Sequence, residues 1–555
     1  MTDLRRNLSA GRFSFQLQGQ TAVMESYHYI IVGAGSSGCV LANRLSADPA
    51  TRVLLIESGP DDKSPFIHMP RGIGKLLAPG NEHVYAYPVT PAGNQPEEVW
   101  LKGRAVGGSS SINGMVYMRG SPQDYDDWAK AGCTGWGWDR IGKAYVALED
   151  HALGADEWRG TGGPLKISQH PSGNPLCDAI LGAAGELGVP TVEDVNHVDV
   201  VADQGMGYQV LTTYKGKRFS AARAFLDPVR SRPNLDILTG VQVQRILFEG
   251  KRASGVQLAD RTIACSGEII LSAGAVESPK LLELSGIGDG ARLQALGIET
   301  LAHSPLVGEN LREHRYVAVD WKVKSGSSNQ KLQGIGLLAS VLRYFLLGSG
   351  PMTDAAHEVG GFIKTRPELD RPDAQIGSML VTMGVGANGA PVLDPFPGMR
   401  VLGYFTRPES RGWTHITSND PADPPAINAN HFAEEIDRQT ALDLFKWLRS
   451  LGQQTALSNW IVEETGKGVA YQSDEEIAAN LLALGGTAFH IAGTAAMGAD
   501  AGSVLDPQLR VRGVDGLRVC DTSIMPTLVS GNTNAPALAI AINAADIILS
   551  TKAAA

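Results

Sequence analysis

The sequence lacks the features of a membrane-spanning or secreted chain. No uninterrupted apolar run reaches the ~20 residues that a transmembrane helix needs. Residues 1–23 carry three arginines but no apolar signal-peptide core, so we expect residues 1–24 to form an extension ahead of the first domain. These absences predict a cytoplasmic protein without a transmembrane segment, and peripheral contact with the inner membrane stays open.

The sequence is also poor in positive charge and in cysteine. Its 48 lysines and arginines are outnumbered by 58 aspartates and glutamates, and the net charge of −10 gives no electrostatic support to a nucleic-acid partner. The five cysteines are widely spaced and form no Cys-x-x-Cys pair. This spacing predicts separate reduced thiols, and we expect no metal site.

Glycine, in contrast, is abundant, with 65 among 555 residues. A chain of this length exceeds the ~250–300 residues at which single cores stop growing, so more than one domain is predicted. Gly33, Gly35 and Gly38 form a Gly-x-Gly-x-x-Gly turn directly after the apolar run Tyr29–Val32. The apolar run is typical of a buried parallel strand, and the turn is typical of a strand that passes into a helix beneath a pyrophosphate.

A carboxylate completes this βαβ pattern. Val40, Leu41 and Leu45 recur at helical spacing, and a second apolar run ends at Glu57, 19 residues after Gly38. A dinucleotide-binding unit places an acid there for the ribose hydroxyls. The motif alone fits FAD and NAD equally well.

Four later segments resemble the signature sequences of the glucose–methanol–choline (GMC) family of flavoenzymes. They are Gly103–Gly120, Gly274–Gly288, Phe489–Gly498, and Leu517–Pro526 with the Ser530–Pro536 that follows. Together with the βαβ unit they extend over residues 27–547 in the family's order. The resemblance implies that the dinucleotide is FAD and that the protein is an FAD-dependent alcohol oxidoreductase.

The resemblance also implies an α/β fold with two interleaved domains. A Rossmann-like FAD domain of the glutathione-reductase type would comprise residues 25–160, 218–315 and 486–555. Residues 161–217 and 316–485 would form a substrate domain with an antiparallel sheet flanked by helices. The sequence itself predicts a long ordered loop at Pro60–Gln95, short strands at Leu235–Leu238, Val241–Phe248 and Glu268–Leu271, and a closing helix at Ile540–Ser550.

Alcohol oxidation needs a group that removes the hydroxyl proton while hydride passes to flavin N5, and histidine suits this because its pKa of ~6.5 lies near neutral pH. His490 matches the family's catalytic histidine, so the resemblance implies that it is the proton acceptor. The family's second catalytic position falls on Asn532, whose amide can donate to the developing alkoxide. Asn534 is the alternative for this second role.

The resemblance implies a set of further FAD contacts. They are Gly33, Gly35, Ser36, Ser37, Gly38, Glu57 and Val243 for the pyrophosphate and adenosine; Arg104, Gly108, Ser109, Asn113, Gly114, Met115 and Val116 from the pyrophosphate to the isoalloxazine; and Asp521 and Thr533 on the distal side of the flavin. Ile112 stands where some members carry a histidine bonded to the flavin. FAD is therefore expected to bind non-covalently.

The substrate is less clearly indicated. Gly334–Gly350 predicts an apolar helix, which we interpret as a core or lid helix, with a membrane-contacting segment as the alternative. Glu358 falls where choline-oxidising relatives place a carboxylate against a quaternary ammonium, but its neighbours supply little of an aromatic cage. We expect an apolar primary alcohol, aliphatic or aromatic, with choline as the alternative.

The electron acceptor and the reaction type also leave alternatives. The motif pattern resembles bacterial alcohol dehydrogenases of the family, which implies a quinone or another carrier as the electron acceptor, with O2 as the other possibility. Hydroxynitrile lyases and a light-driven fatty-acid decarboxylase resemble the same family, so a non-redox flavoprotein is a further alternative.

Overall fold

The computed structural model describes residues 26–90, 97–386 and 391–554. Two seven-stranded sheets dominate these residues, and helices pack against both sheets, which confirms the predicted α/β class. The predicted extension at residues 1–24 lies outside the described residues.

The first sheet is built around the strand Ser26–Val32. Its strands in spatial order are Leu235–Thr239, Val53–Glu57, Ser26–Val32, Thr262–Leu271, Arg252–Gln257 and Arg245–Glu249, and Leu517–Val519 also pairs with Thr262–Leu271. Ser26–Val32 pairs in parallel with both neighbours. Ile30 and Ile31 are fully buried, as expected for a strand that is covered on both faces.

The predicted βαβ unit is present at the carboxyl edge of this sheet. Gly33 follows the strand with a φ of +103°, a conformation that favours glycine, and the helix Ser36–Leu45 begins three residues later. A Cβ atom on Gly38 would lie 1.9 Å from the Gly33 carbonyl oxygen, so only glycine lets the helix pack this closely against the turn. The helix N-terminus therefore points into the space above the sheet.

The second sheet is antiparallel throughout. Its strands in order are Ile461–Thr465, Arg315–Val323, Gly398–Phe405, Ala374–Met379, Val359–Ile363 and Gly205–Tyr208, and Gly485–Thr487 also pairs with Arg315–Val323. The helix Glu435–Gln453 packs against one face through Leu444, Leu448 and Leu451, which are fully buried. The two sheets take their strands from alternating parts of the chain, and the interleaved domain layout stays a prediction.

Smaller elements surround the two sheets. Helices of eight residues or more are Ser36–Leu45, Pro122–Lys130, Trp138–Leu148, Pro175–Glu186, Gly274–Leu284, Gly334–Leu347, Glu435–Gln453 and Asn534–Ala554; shorter ones are Pro65–His68, Ile73–Leu76, Val198–Ala202, Gly290–Ala295, Thr455–Ser458 and Asp474–Ala479. The remaining paired strands are Val84–Val89 with Glu98–Gly103, Thr213–Tyr214 with Lys217–Arg218, Ile287–Gly288 with Ala302–His303, Met383–Val385 with Pro391–Leu393, Trp413–His415 with Ala426–Asn428, and the group Glu149–His151, Leu165–Gln169 and Val210–Leu211.

The helix Asn534–Ala554 fills the core beneath the first sheet and begins earlier than the predicted Ile540. It lies between the helices Ser36–Leu45 and Trp138–Leu148. Its residues from 535 to 545 are almost all buried, in keeping with a helix that is apolar on every side. The Ser37 hydroxyl donates to the carbonyl oxygen of Ala537 at 3.1 Å, which ties this helix to the glycine turn.

Three predictions of local structure need correction. Pro60–Gln95 is not one loop, since it contains two four-residue helices and the strand Val84–Val89; these elements are too short to show periodicity, and the strand depends on pairing with Glu98–Gly103. Residues 91–95 of that stretch lie outside the described residues.

The second correction concerns Val241–Phe248. In place of one strand there, the structure has the hairpin Arg245–Glu249 and Arg252–Gln257.

The third correction concerns Gly334–Gly350. The predicted helix is present at Gly334–Leu347, but it is not a core helix, because its large apolar side chains are mostly exposed. Among all described residues, no helix combines the length and the apolar character needed to cross a bilayer.

Candidate active site

A cavity of about 470 Å³ lies between the carboxyl edge of the first sheet and the inner face of the second. Its walls include Gly33 and Gly35 of the glycine turn, and they also include His490 and Asn532. Residues far apart in the chain therefore line one continuous space that extends from the dinucleotide motif to the two predicted catalytic side chains.

The cavity fits a long ligand that carries a diphosphate. The helix Ser36–Leu45 opens onto it and lacks a side-chain cap, so its first N–H groups are available to an anion. The helix Gly274–Leu284 also opens onto it, with its first N–H bonded to Asp521. A Cβ atom on Gly108 would lie 2.7 Å from Gly35 Cα, whereas one on Gly35 would meet no atom closer than 3.8 Å. The two glycine-rich segments thus approach each other closely and leave the cavity side open, which is the shape that FAD requires.

Most of the residues predicted to contact FAD line this cavity. They are Gly33, Gly35, Ser36, Ser37, Glu57, Gly108, Ser109, Asn113, Gly114, Met115, Val116, Val243, Asp521 and Thr533. Gly38 and Arg104 lie behind the wall: Gly38 packs against the turn, and Arg104 donates to the Ser58 carbonyl oxygen at 3.4 Å and lies over the Tyr85 ring.

Two carboxylates of the cavity wall also fix the loops around it. Glu57 accepts hydrogen bonds from the backbone N–H groups of Ala34 and Gly59, each at 2.9 Å, and burial raises its pKa. Asp521 accepts from the Gly274 N–H at 2.9 Å and from the Ser278 hydroxyl at 2.6 Å. Glu57 Oε2 and Asp521 Oδ1 each accept a single protein hydrogen bond, so each keeps a lone pair that can accept a ligand hydroxyl.

The peptide group that precedes His490 is held by two ionisable side chains. Phe489 has a φ of +63°, which is uncommon for a residue with a side chain, and its carbonyl oxygen accepts a hydrogen bond from Lys102 Nζ at 3.0 Å. The His490 N–H donates to Glu313 Oε1 at 2.8 Å. Burial lowers the pKa of Lys102 and raises the pKa of Glu313 to about 8. These contacts aim the imidazole at the cavity.

Asn532 lies against His490, with Nδ2 at 3.0 Å from His490 Nε2. Its Oδ1 accepts from Gln375 Nε2 at 3.0 Å, and Gln375 Oε1 accepts in turn from the Tyr404 hydroxyl at 2.6 Å. This chain of bonds turns the donor side of the Asn532 amide toward the imidazole. Asn534 lies elsewhere, because its Oδ1 accepts from the Ser36 hydroxyl at 2.8 Å beside the glycine turn.

A second buried histidine sets the protonation of His490. His314 Nε2 lies 2.9 Å from the carbonyl oxygen of Thr406, which can only accept, so Nε2 carries the proton. In the neutral ring, Nδ1 of His314 is then an acceptor, and it lies 3.0 Å from His490 Nδ1. His490 must therefore donate from Nδ1, which leaves the lone pair on Nε2, the atom next to Asn532.

The electrostatics agree with two neutral imidazoles. Burial lowers the pKa of His490 well below its ordinary value, and the neighbouring His314, Lys102 and His357 lower it further. Burial lowers the pKa of His314 to about 4. At neutral pH the Nε2 atom of His490 is consequently unprotonated and able to accept a proton.

The second sheet forms the wall around this pair. Arg400, Leu402 and Tyr404 alternate along one strand and line the cavity, and the Tyr404 ring stacks on His314 at a centroid distance of 4.6 Å. Arg400 is paired with Asp320 through contacts of 2.6 and 2.8 Å. The lining also includes Lys102 and groups without charge such as Met115, Ala356, Met379 and Tyr316.

Glu358, predicted as a substrate contact, is not part of the cavity lining. Its Oε1 accepts from Arg71 Nη2 at 2.9 Å, and its Oε2 accepts from the Leu380 N–H at 3.1 Å. Burial raises its pKa to about 7, and Arg71 lowers it again in part. The carboxylate therefore serves the ion pair behind the wall.

Sequence reasoning missed several residues of the site. His314, Gln375 and Tyr404 carry no local motif, and only their contacts with His490 and Asn532 reveal them. His357 lines the cavity, and its Nδ1 has no hydrogen-bond partner among the described residues. The one sequence signal for His357 is that it directly precedes Glu358, which the sequence analysis had selected as a candidate substrate contact.

Comparisons with known proteins agree with this geometry. Family models described as GMC oxidoreductase match residues 27–316 and 408–541. The chain is 38% identical to an alcohol dehydrogenase (acceptor) of Pseudomonas putida, over 94% of this chain and 96% of that protein. It is also 38% identical to the human mitochondrial choline dehydrogenase, over 94% and 90%. A solved variant of the Aspergillus oryzae formate oxidase, studied for FAD modification, superposes with a TM-score of 0.87 at 26% identity and covers 95% of this chain and 98% of its own.

The family matches and the dinucleotide turn at the cavity identify a flavin-dependent oxidoreductase. The chain belongs to the GMC oxidoreductase family, and FAD is its cofactor.

Proposed function

We propose that this protein oxidises an apolar primary alcohol to the aldehyde, with His490 as the proton acceptor and Asn532 as the donor to the substrate oxygen. The observation that carries this proposal is the contact of 3.0 Å between Asn532 Nδ2 and the unprotonated Nε2 of His490 at the cavity surface. A substrate hydroxyl that reaches both atoms would replace this contact, with Nε2 as the acceptor for its proton and Nδ2 as the donor to its oxygen.

The protein residues handle the proton, and bound FAD supplies the acceptor for the carbinol hydride. His490 Nε2 takes the hydroxyl proton, while its Nδ1–H remains bonded to His314 and keeps the ring in place. Asn532 Nδ2 donates to the oxygen as negative charge develops on it, and Gln375 holds the amide in that orientation. The second sheet covers the pair and excludes water, which strengthens both contacts.

The cavity wall favours an apolar alcohol over choline. Neither charged group offers a site for a quaternary ammonium, because Arg400 is paired with Asp320 and Glu358 is engaged with Arg71 behind the wall. Tyr316, Leu402 and Met379 offer apolar surface in the same region. The similar protein from Pseudomonas putida is named as an alcohol dehydrogenase (acceptor), which supports a carrier such as a quinone as the oxidant of reduced FAD.

FAD is proposed to bind non-covalently. Ile112, at the position where a histidine would form the covalent bond, lines the cavity with an unreactive aliphatic side chain. Precipitation with acid should therefore release all of the yellow cofactor into the supernatant.

Anaerobic mixing with a panel of alcohols tests the function. We expect 1-alkanols and benzylic alcohols to bleach the flavin absorbance, and choline to do so at least tenfold more slowly at equal concentration. The variant Glu358→Gln should leave this preference unchanged. Faster bleaching by choline, or cleavage of a cyanohydrin without bleaching by any alcohol, would contradict the proposal.

His314 is proposed as a positioning residue, and its loss tests the protonation scheme. In His314→Leu, His490 Nδ1 loses its acceptor, so the imidazole is free to adopt the wrong tautomer, and we expect flavin reduction to slow by about tenfold or more. His314→Asn keeps an acceptor oxygen near the place of Nδ1 and should recover most of the rate. The measurement is stopped-flow flavin reduction across pH. Equal losses in both variants, with an unchanged pH profile, would indicate a structural role only.

A further inference from the structure

The helix Gly334–Leu347, here called the exposed helix, presents a large apolar surface to solvent. Of its fourteen residues, all of them described, Ser340 and Tyr344 are the buried ones. The exposed large apolar side chains are Ile335, Leu337, Leu338, Leu342, Phe345, Leu346 and Leu347, with exposed fractions between 39% and 87%. A cluster of this extent on one element marks an interaction site.

A neighbouring hairpin extends this surface. Its strands Met383–Val385 and Pro391–Leu393 carry the exposed side chains of Met383, Val385 and Val392. Gln333, directly before the exposed helix, donates from Nε2 to the Asp394 carbonyl oxygen at 2.8 Å at the base of the hairpin. The apolar surface of the hairpin therefore adjoins the first turn of the exposed helix.

Cationic side chains border the surface. Lys331 and Arg343 are exposed before and within the helix. At the other end, a Cβ atom on Gly216 would lie 2.6 Å from the Gly348 carbonyl oxygen, so the turn with the exposed Lys215 and Lys217 abuts the helix C-terminus. No aspartate or glutamate occurs from residue 321 to residue 353, although the whole chain has a net charge of −10. This local excess of positive charge is complementary to an anionic surface.

We propose that the exposed helix docks this protein on the surface of an anionic lipid bilayer. With fourteen residues it is too short to span the ~20-residue hydrocarbon core, but it can lie in the interface plane with its apolar face among the acyl chains. The cationic border supplies the second, electrostatic contribution that stable peripheral binding needs. A second copy of the chain is the weaker occupant, because a two-fold contact would place the cationic border against itself.

Docking brings the cavity wall close to the bilayer. Tyr344 of the exposed helix packs with Met69, and Ile73, four residues after Met69, lines the cavity. Apolar molecules that partition into the membrane therefore meet the protein on the side where this wall lies. The docking itself is independent of the proposed reaction and is measured without any substrate.

Sedimentation with lipid vesicles tests the proposal on the FAD-loaded protein. We expect the protein to sediment with phosphatidylcholine vesicles that contain phosphatidylglycerol, and to sediment less with phosphatidylcholine alone or at high salt. The fourfold variant Leu338→Gln, Leu342→Gln, Phe345→Gln and Leu346→Gln should bind at least about tenfold more weakly. The matched control changes Leu306, Ile436, Val462 and Val469 to Gln, all exposed elsewhere, and should bind like the parent protein.

The charge contribution has its own pair of variants. Lys215→Glu with Lys217→Glu should weaken binding to the anionic vesicles by about fivefold per lysine or more, while Lys251→Glu with Lys467→Glu should not. The FAD absorbance and the activity on a water-soluble alcohol should stay unchanged in all four variants. A parent protein that remains in the supernatant with both vesicle types would overturn the proposal. So would a dimer in solution that the fourfold variant abolishes, because the surface would then be covered by a second copy.

Discussion

His490→Ala is expected to slow anaerobic flavin reduction by alcohol about 10²–10⁴-fold, the usual contribution of a general base. The imidazole lies at the cavity surface with Nε2 unprotonated, and among the described residues no other side chain is hydrogen-bonded to both Asn532 and His314. The glycine turn and the helix N-termini that face the dinucleotide are untouched by the change, so the purified variant should keep its yellow FAD. Stopped-flow absorbance measures the rate, and the visible spectrum measures the bound cofactor.

The pH dependence of the parent enzyme provides an internal check. Because burial lowers the pKa of His490, the ring stays neutral and active below pH 6.5, and the rate should fall only when the pH drops through that lowered pKa. His303→Ala, an exposed histidine outside the cavity, is the matched control and should retain the parent rate and profile. An acid limb at or above pH 6.5, or a His490→Ala rate within threefold of the parent, would remove His490 from the role of base.

Asn532→Ala should lower the rate of flavin reduction about 10²–10³-fold, as the loss of one oxyanion donor does in other enzymes. The amide N–H is oriented by Gln375 toward the place where alkoxide charge develops, so its loss acts on the transition state more than on substrate binding. The limiting rate at saturating alcohol should therefore fall far more than the apparent substrate affinity. Stopped-flow titration with the alcohol separates these two quantities.

Asn534→Ala is the natural comparison, since Asn534 contacts Ser36 beside the glycine turn instead of His490. We expect this variant to bind FAD more weakly but to reduce it at nearly the parent rate once it is loaded. If Asn534→Ala slowed reduction more than Asn532→Ala, the assignment of the second role to Asn532 would be wrong.

The parts of the fold that the sequence predicted well are local. The strand that ends at Val32, the glycine turn and Glu57 lie within about thirty residues, so spacing and residue type together determine the unit. The apolar composition of the exposed helix also predicted a helix at that place, but it did not predict that the apolar side chains would be exposed to solvent. Composition reports how apolar a segment is, whereas burial depends on what the rest of the chain places against it.

The parts that could not be predicted depend on distant contacts. His314 lies 176 residues from His490 in the chain, and Gln375 lies 157 residues from Asn532. Both roles arise because the second sheet brings Gln375, in one strand, and His314, directly before another, next to Asn532 and His490. Strand pairing over that range leaves no local pattern in the sequence. Resemblance to the family indicated His490 and Asn532 because they stand within segments that resemble its signature sequences, and it gave no information about the residues that support them.

The position of the helix Asn534–Ala554 has a consequence for biosynthesis. This helix fills the space between the helices Ser36–Leu45 and Trp138–Leu148, yet it leaves the ribosome after both of them and after every other described element. Until then, the apolar side chains of the helices Ser36–Leu45 and Trp138–Leu148 lack their partner. A nascent chain can therefore complete this core only after residues 534–554 have emerged, and a chain truncated before residue 534 is expected to expose apolar surface that chaperones and proteases recognise.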